Sequence, residues 1–304
     1  MIKSFTVTNH LGESITLELT RPEKSGFIVL PNTTGLGPTT ASINTTKAAM
    51  TDGTTYNSSV MNERNIVLAL QFYQTGNESI EDIRHKSYRY FPVNTKVKIR
   101  VETDNRTTET EGIIESNEPT IFSANEGCSI SIICPDPFWH SAKTNETVFS
   151  GVLPVFEFPF ENPSLTEPLL EMGVLKNMTE NTVYYAGDAN VGMIIIMHAL
   201  SEVKNLVIYN STTRERMKID TDKIAEKTGS GIIAGDTITI ETTRNNKSIT
   251  LLRDGVETNI FNCLNKDSDW FTLVRGDNIF GYTAETGASN LQFLILNKIL
   301  YKGV

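Results

Sequence analysis

The sequence is short of every residue pattern that would give it chemistry. Only three cysteines occur in 304 residues. Cys128 and Cys134 fall on one alternating stretch, and six residues at strand rise separate them by roughly 20 Å, beyond disulfide reach. Those two cannot bridge each other, and the cysteines read most simply as core thiols. The four histidines, His10, His85, His140 and His198, stand at no metal-ligand spacing from one another or from cysteine. His198, alone on an apolar strand, reads as structural. Asp220 with Asp222, and Asp267 with Asp269, lack the loop signature of a calcium site and read as turn carboxylates. No phosphate-cradling loop ending in Lys-Ser/Thr and no Gly-x-Ser-x-Gly elbow occurs. We therefore expect no enzyme activity, no metal and no cofactor.

Positive charge is also scarce. Lys and Arg number 27 against 36 Asp and Glu, a formal net charge of −9, which leaves no general basic surface for specific nucleic-acid binding. No apolar run reaches the length of a membrane span, so no membrane insertion is expected. The opening Met1–Asn9 has neither the apolar run nor the cleavage site of a secretory signal, which predicts synthesis and assembly in the cytoplasm. Nine Asn-x-Ser/Thr sequons then reflect only an Asn- and Thr-rich composition.

What is present favours strands. Abundant Thr, Ile, Val and Asn, with 39% hydrophobic and 21% charged residues, predicts a mainly β chain, and the length suggests two compact units. The divide is read at Ser129–Trp139. Cys128, Ile130, Ile132 and Cys134 share one face of a strand. Pro135 and Pro137 cannot donate to a ladder, so the chain should leave the sheet here as an extended arm, with Phe138 and Trp139 seeking burial. This predicts a first domain over residues 1–140 and a junction over 141–168 carrying Pro154, Pro159, Pro163 and Pro168 among Phe156, Phe158 and Phe160. The second domain takes residues 169–304.

In the first domain, strands are predicted around Ile15–Leu19, Phe27–Leu30, Arg64–Phe72, Val97–Val101, Gly112–Glu115 and Cys128–Cys134. One helix is expected over Glu78–Tyr90, capped by Asn77 or Ser79 and stopped by Pro92. The polar stretch Gly35–Asn62, with a turn at Asp52-Gly53, is too long for a hairpin turn and predicts a projecting β-arm or a loop covering a neighbour. In the second domain, strands are expected at Met193–Ala199, Asn205–Tyr209, Arg214–Asp220, Asp236–Thr242, Lys247–Leu252, Trp270–Arg275, Asn278–Tyr282 and Leu291–Leu296. Breaks are expected at Asn245-Asn246 (a two-residue hairpin), Asp254-Gly255 and Gly276-Asp277-Asn278, with a short helix over Asp222–Lys227. Short strands at this spacing mean a sandwich or jelly roll.

The ordered succession Gly35-Leu36, Asp52-Gly53, Arg64-Asn65-Ile66-Val67-Leu68 and Cys134-Pro135-Asp136-Pro137-Phe138-Trp139 resembles the phage distal tail proteins at siphophage tail tips of Gram-positive hosts. In the second half, Gly192–Ile196, Tyr209-Asn210, Met217–Ile219, Gly235-Asp236-Thr237-Ile238-Thr239-Ile240 and the run from Trp270 through Gly276 to Asn278 resemble the C-terminal domain of the larger members. Thr243–Ser248 departs from the pattern, with Asn245-Asn246 where glycine is expected. The resemblance implies a ring-forming, sandwich-like N-terminal domain with one helix and a galectin-like C-terminal sandwich. It implies a structural virion protein of the tail tip: a hexamer around a DNA channel, each arm wrapping the next subunit. Implied partners are the tail tube protein, a tail-associated lysin or tail-hub protein, and receptor-binding proteins. Six such chains would carry a formal −54, six times the −9 of one chain, and a repelling wall suits passage of DNA. The alternative is a carbohydrate-binding, receptor-recognition module, with Trp270, Tyr282 or Tyr301 stacking on a sugar; the residues themselves favour core or junction packing for Trp270.

Overall fold

The computed structural model describes residues 1–76, 78–154 and 173–304. The chain divides into two compact units, Met1–Lys143 together with Leu300–Val304, and Thr144–Ile299. These bounds differ from those expected. Residues 144–154 already belong to the second unit, and the segment after Ile299 belongs to the first. Phe156, Phe158, Phe160, Pro159, Pro163 and Pro168, on which the expectation of a stiff junction rested, lie outside the described residues, as does Asn77.

The first unit contains β1 (Ile2–Thr8), β2 (Ser14–Glu18), β3 (Phe27–Val29), β4 (Ala41–Thr46), β5 (Thr55–Met61), β6 (Arg64–Phe72), α1 (Ile80–Tyr90), β7 (Lys96–Thr103), β8 (Thr107–Thr120), β9 (Gly127–Cys134) and β10 (Trp139–Ser141). The second holds β11 (Asn145–Val148), β12 (Ser150–Pro154), β13 (Gly173–Asn177), β14 (Glu180–Tyr185), β15 (Ile194–Ala199), β16 (Val207–Asn210), β17 (Glu215–Lys218), α2 (Thr221–Thr228), β18 (Thr237–Glu241), β19 (Ser248–Arg253), β20 (Val256–Asn259), β21 (Gly276–Thr283) and β22 (Leu291–Asn297). Last comes β23 (Leu300–Tyr301), in the first unit.

One nine-stranded antiparallel sheet, nearly closed on itself, forms the first unit, in the order β2-β1-β7-β8-β9-β6-β3 with β10 beside β8 and β23 beside β10. Its interior is the period-two face of each strand: Phe5 and Val7; Ile66, Leu68 and Leu70; Val97, Ile99 and Val101; Cys128, Ile130, Ile132 and Cys134. Helix α1 adds Ile83 to this core, with Phe91 just after it. It begins in a capping box: Ser79 Oγ accepts from the Asp82 N–H at 3.2 Å while the Asp82 carboxylate accepts from the Ser79 N–H at 2.9 Å.

The second unit is a two-sheet sandwich, β11-β22-β15-β18-β19-β20 against β14-β21-β16-β17, with β12-β13 as a separate pair. Tyr282 of the smaller sheet stacks on Phe293 of the larger at 4.9 Å between ring centroids. Helix α2 is capped by Asp220 and ends at Gly229, whose φ of +84° is left-handed.

Several local expectations are corrected. Trp270–Arg275 is no strand; buried Phe271 and Leu273 give it a strand-like alternation, but Leu273 makes only an isolated bridge to Val191. Asn245-Asn246 is not a two-residue hairpin, because β18 and β19 close at Glu241 and Ser248; Asn245 sits with φ +66° inside a turn closed by Asn246 N–H to Thr243 O. Asp254-Gly255 is the true two-residue turn, with both φ positive and Arg253 opposite Val256. Gly276-Asp277-Asn278 is not a break but the start of β21. After Cys134 the chain does not depart as an extended arm. Asp136 Oδ1 accepts from the Phe138 N–H at 3.0 Å, and this Asx turn returns the chain to the same sheet as β10.

Candidate assembly arm and its root

Among the described residues, strands β4 and β5 pair only with each other. Every residue of β4 is exposed, and of β5 only Met61 is half-buried. This hairpin, within the stretch Gly35–Asn62 and called the arm below, lies on no other sheet among the described residues. Gly53 stands in its turn at φ +84°, with open space where a Cβ would be. A bulge between Asn44 and Thr45 shifts the register so that Thr45 faces Tyr56. Ile43 and Tyr56 stay 64% and 61% exposed, and the Tyr56 hydroxyl lies 2.9 Å from Ser59 Oγ. Isolated two-stranded hairpins are marginal in water, and this one carries apolar side chains with nothing over them.

The root of the arm is as fixed as its length is bare. Gly35 has φ +86°, and a Cβ there would stand 2.0 Å from the Asn65 carbonyl oxygen, so only glycine lets the chain cross β6 this closely. Just before it, Thr34 and Val67 exchange backbone hydrogen bonds at 2.9 and 3.2 Å. The arm returns to the sheet at Arg64, whose side chain is wholly buried. Its guanidinium donates to Gly35 O and Gly37 O at 2.5 Å each, where the arm leaves, to Pro137 O at 2.6 Å and to Lys302 O at 2.8 Å. It also lies over the Trp139 ring, 5.2 Å from the centroid. Burial lowers the Arg64 pKa, while nearby Cys134 and Asp136 oppose that shift. Four carbonyl dipoles take the place of a counter-ion, a role for which a planar fork of donors suits arginine and not lysine.

The hexapeptide read as a signature therefore converges with Arg64. Cys134 is buried, with its pKa pushed up to about 11 chiefly by desolvation, and Cys128 likewise to about 12. Pro137 supplies an acceptor. Asp136 pairs with His140 at 2.7 Å. Trp139 is 0% exposed, whereas Phe138 is only half-buried and Pro135 is exposed.

In the second unit the signature residues fall in separate places. Gly235, at φ +91°, turns the chain into Asp236, which is 1% exposed. The Asp236 carboxylate is held by Arg253, with Nε to Oδ1 at 2.8 Å, and Arg253 also bonds Ser230 Oγ at 2.6 Å, fastening the 228–236 loop. Asn278 is buried in β21, where its side chain accepts from the Val274 N–H at 3.0 Å and donates to Val274 O at 2.7 Å; Gly276, at φ +100°, opens that strand. Trp270 is half-buried on the surface, stacked on Phe261 at 5.4 Å with Lys247 Nζ 5.0 Å from its ring centroid. Of the other aromatics considered for sugar stacking, Tyr282 is 1% exposed and Tyr301 lies under Arg106. Sequence reasoning missed Arg253 and the Leu300–Val304 segment, because both act through partners far away in the chain.

Among the described residues no group of three or more His, Cys, Asp or Glu could hold a metal ion, and no helix is long and apolar enough to cross a membrane. No family model and no curated protein matches the sequence. Solved structures do. The crystal structure of the phage SPP1 Dit protein, described as a paradigm of the hub adsorption apparatus in phages infecting Gram-positive bacteria, aligns with a TM-score of 0.63 at 13% identity over 98% of this chain and 100% of that one. Two structures of the phage p2 baseplate in its activated conformation, with strontium and with calcium, align at 10% identity with TM-scores of 0.48 and 0.46, over 97% and 98% of both chains. The fold of this chain is thus that of the SPP1 Dit hub protein, in agreement with the distal tail proteins that its motifs resemble.

Proposed function

We propose that the protein is a structural component of a phage tail tip, a distal tail protein whose copies close into a hexameric ring. The observation that carries this reading is the β4–β5 arm, a rigidly rooted hairpin with exposed apolar residues and no sheet to lie on. Such a hairpin gains stability by lying on a neighbouring copy, and repeating one heterologous contact closes a ring. The ring joins the tail tube to the tail-hub or tail-associated lysin complex, leaves a channel for DNA, and offers the second unit to receptor-binding partners. The fold shared with the SPP1 Dit protein supports the reading. The test is light scattering coupled to size exclusion, with negative-stain imaging, on the intact chain and on a version with residues 41–61 replaced by a short turn. Rings for the first and folded monomers for the second are expected. A strictly monomeric intact chain at high concentration, absent from purified tails, overturns the reading.

A further inference from the structure

We infer that Leu300–Val304 is a latch that sets the arm, so that the arm becomes competent for assembly only after the whole second unit has been made. The inference rests on the reading of the arm as the joint between copies. Chain order is the first observation: the first unit is interrupted at Lys143 and completed only by residues that follow Ile299. Contact is the second. β23 adds to β10, with Leu300 opposite His140 and Tyr301 opposite Trp139. Lys302 O accepts one of the four Arg64 hydrogen bonds. At Gly303 a Cβ would stand 3.3 Å from Gly37 Cα, and the Val304 N–H donates to Leu36 O at 3.1 Å.

The same three-residue root, Gly35 to Gly37, is thus held from one side by Arg64 and from the other by residues 302–304. Without the latter, Arg64 loses one buried acceptor and Leu36 O loses its donor. The root then keeps its crossing over β6 and the Arg64 bonds to Gly35 O and Gly37 O but is held from one side alone, and a lever is only as directed as its pivot. The core of the first unit does not depend on these contacts, because residues 302–304 contribute no buried side chain to it apart from Val304 packed at its edge.

Two full-chain variants test this: deletion of residues 302–304, which keeps the β10–β23 pairing, and Arg64→Lys, which keeps the charge but not the fork. Hydrogen exchange is read at residues 34–40 and 62–67, and ring formation by mass photometry. The deletion should speed exchange at the root by about tenfold or more while leaving β7–β9 protected, and should abolish rings. Arg64→Lys should do the same to a smaller degree. Unchanged exchange at the root in the deletion variant overturns the latch. Faster exchange with rings intact overturns its control of assembly. The arm-shortened protein separates the two readings: rings from that variant would remove the arm as the joint, whatever the latch does.

Discussion

The first unit contains two antiparallel pairs that differ in almost everything except their hydrogen bonding. β6 and β9 pair over eight residues and alternate buried with more exposed positions, sending Ile66, Leu68, Leu70, Cys128, Ile130, Ile132 and Cys134 into the core. β4 and β5 pair over six positions with a bulge, and apart from half-buried Met61 leave every residue exposed. A ladder alone is close to neutral against water, so what fixes β6–β9 is apolar burial, and what β4–β5 lacks is a surface to bury against. The arm is therefore a formed ladder without a buried face, fastened at its base to the best-buried cation in the unit, and the proposed function supplies the missing surface from a neighbouring copy.

The sharpest way to break the comparison is from the buried side. Trp139→Ala removes a wholly buried indole beside Arg64 and should cost about 3–5 kcal/mol through cavity formation, read by urea unfolding. A parent-like midpoint would mean that the root does not depend on this packing. In the second unit, Asp236→Ala strands Arg253, whose side chain is 17% exposed. Partial solvent access tempers the penalty to about 2–3 kcal/mol, which thermal melts of the variant would register.

Acid gives an intermediate effect. Burial raises the Glu109 pKa, but hydrogen bonds from Lys98 and Arg100 outweigh it and leave the carboxyl below its usual value. A depressed folded pKa contributes stability that is present above the unfolded value of about 4.3 and lost as pH falls through the lower folded one. Glu109→Gln should therefore lower stability at neutral pH and flatten the loss below about pH 4, as pH-dependent unfolding would reveal. The thiols offer a check without mutation: Cys128 and Cys134, raised to about 12 and about 11 by burial, should resist thiol reagents at neutral pH until the unit unfolds.

The smallest effect on stability is expected on the arm. Ile43→Thr changes a residue that is 64% exposed and should move the monomer's melting by no more than about 0.5 kcal/mol. Its effect belongs to assembly, where sedimentation should show weaker self-association.

This contrast also marks what the residues alone could tell. The β6–β9 alternation, the α1 cap at Ser79 and the Asp52-Gly53 turn are local patterns, legible because each signal lies within a few residues of its effect. The exposed β4–β5 pair falls within Gly35–Asn62, a stretch too polar and too long for a turn. The root was not legible, since Arg64 reaches Lys302 across 238 positions and no spacing encodes that. Trp270–Arg275 misled because Phe271 and Leu273 alternate like a strand while their backbone finds no neighbour to pair with beyond Val191. Asp236 drew notice as part of a motif, but its partner Arg253 ends β19 and becomes visible only when that strand is paired with β18, which follows Asp236.

The most direct test of the account is the mass of the assembled particle. Mass photometry of the intact chain, beside the version with residues 41–61 replaced by a short turn, should show six chains of 33.8 kDa in the first case and single folded chains in the second. A single-chain mass for the intact protein at every concentration, or six-chain particles from the shortened one, would contradict the claim that the bare hairpin is the joint between copies.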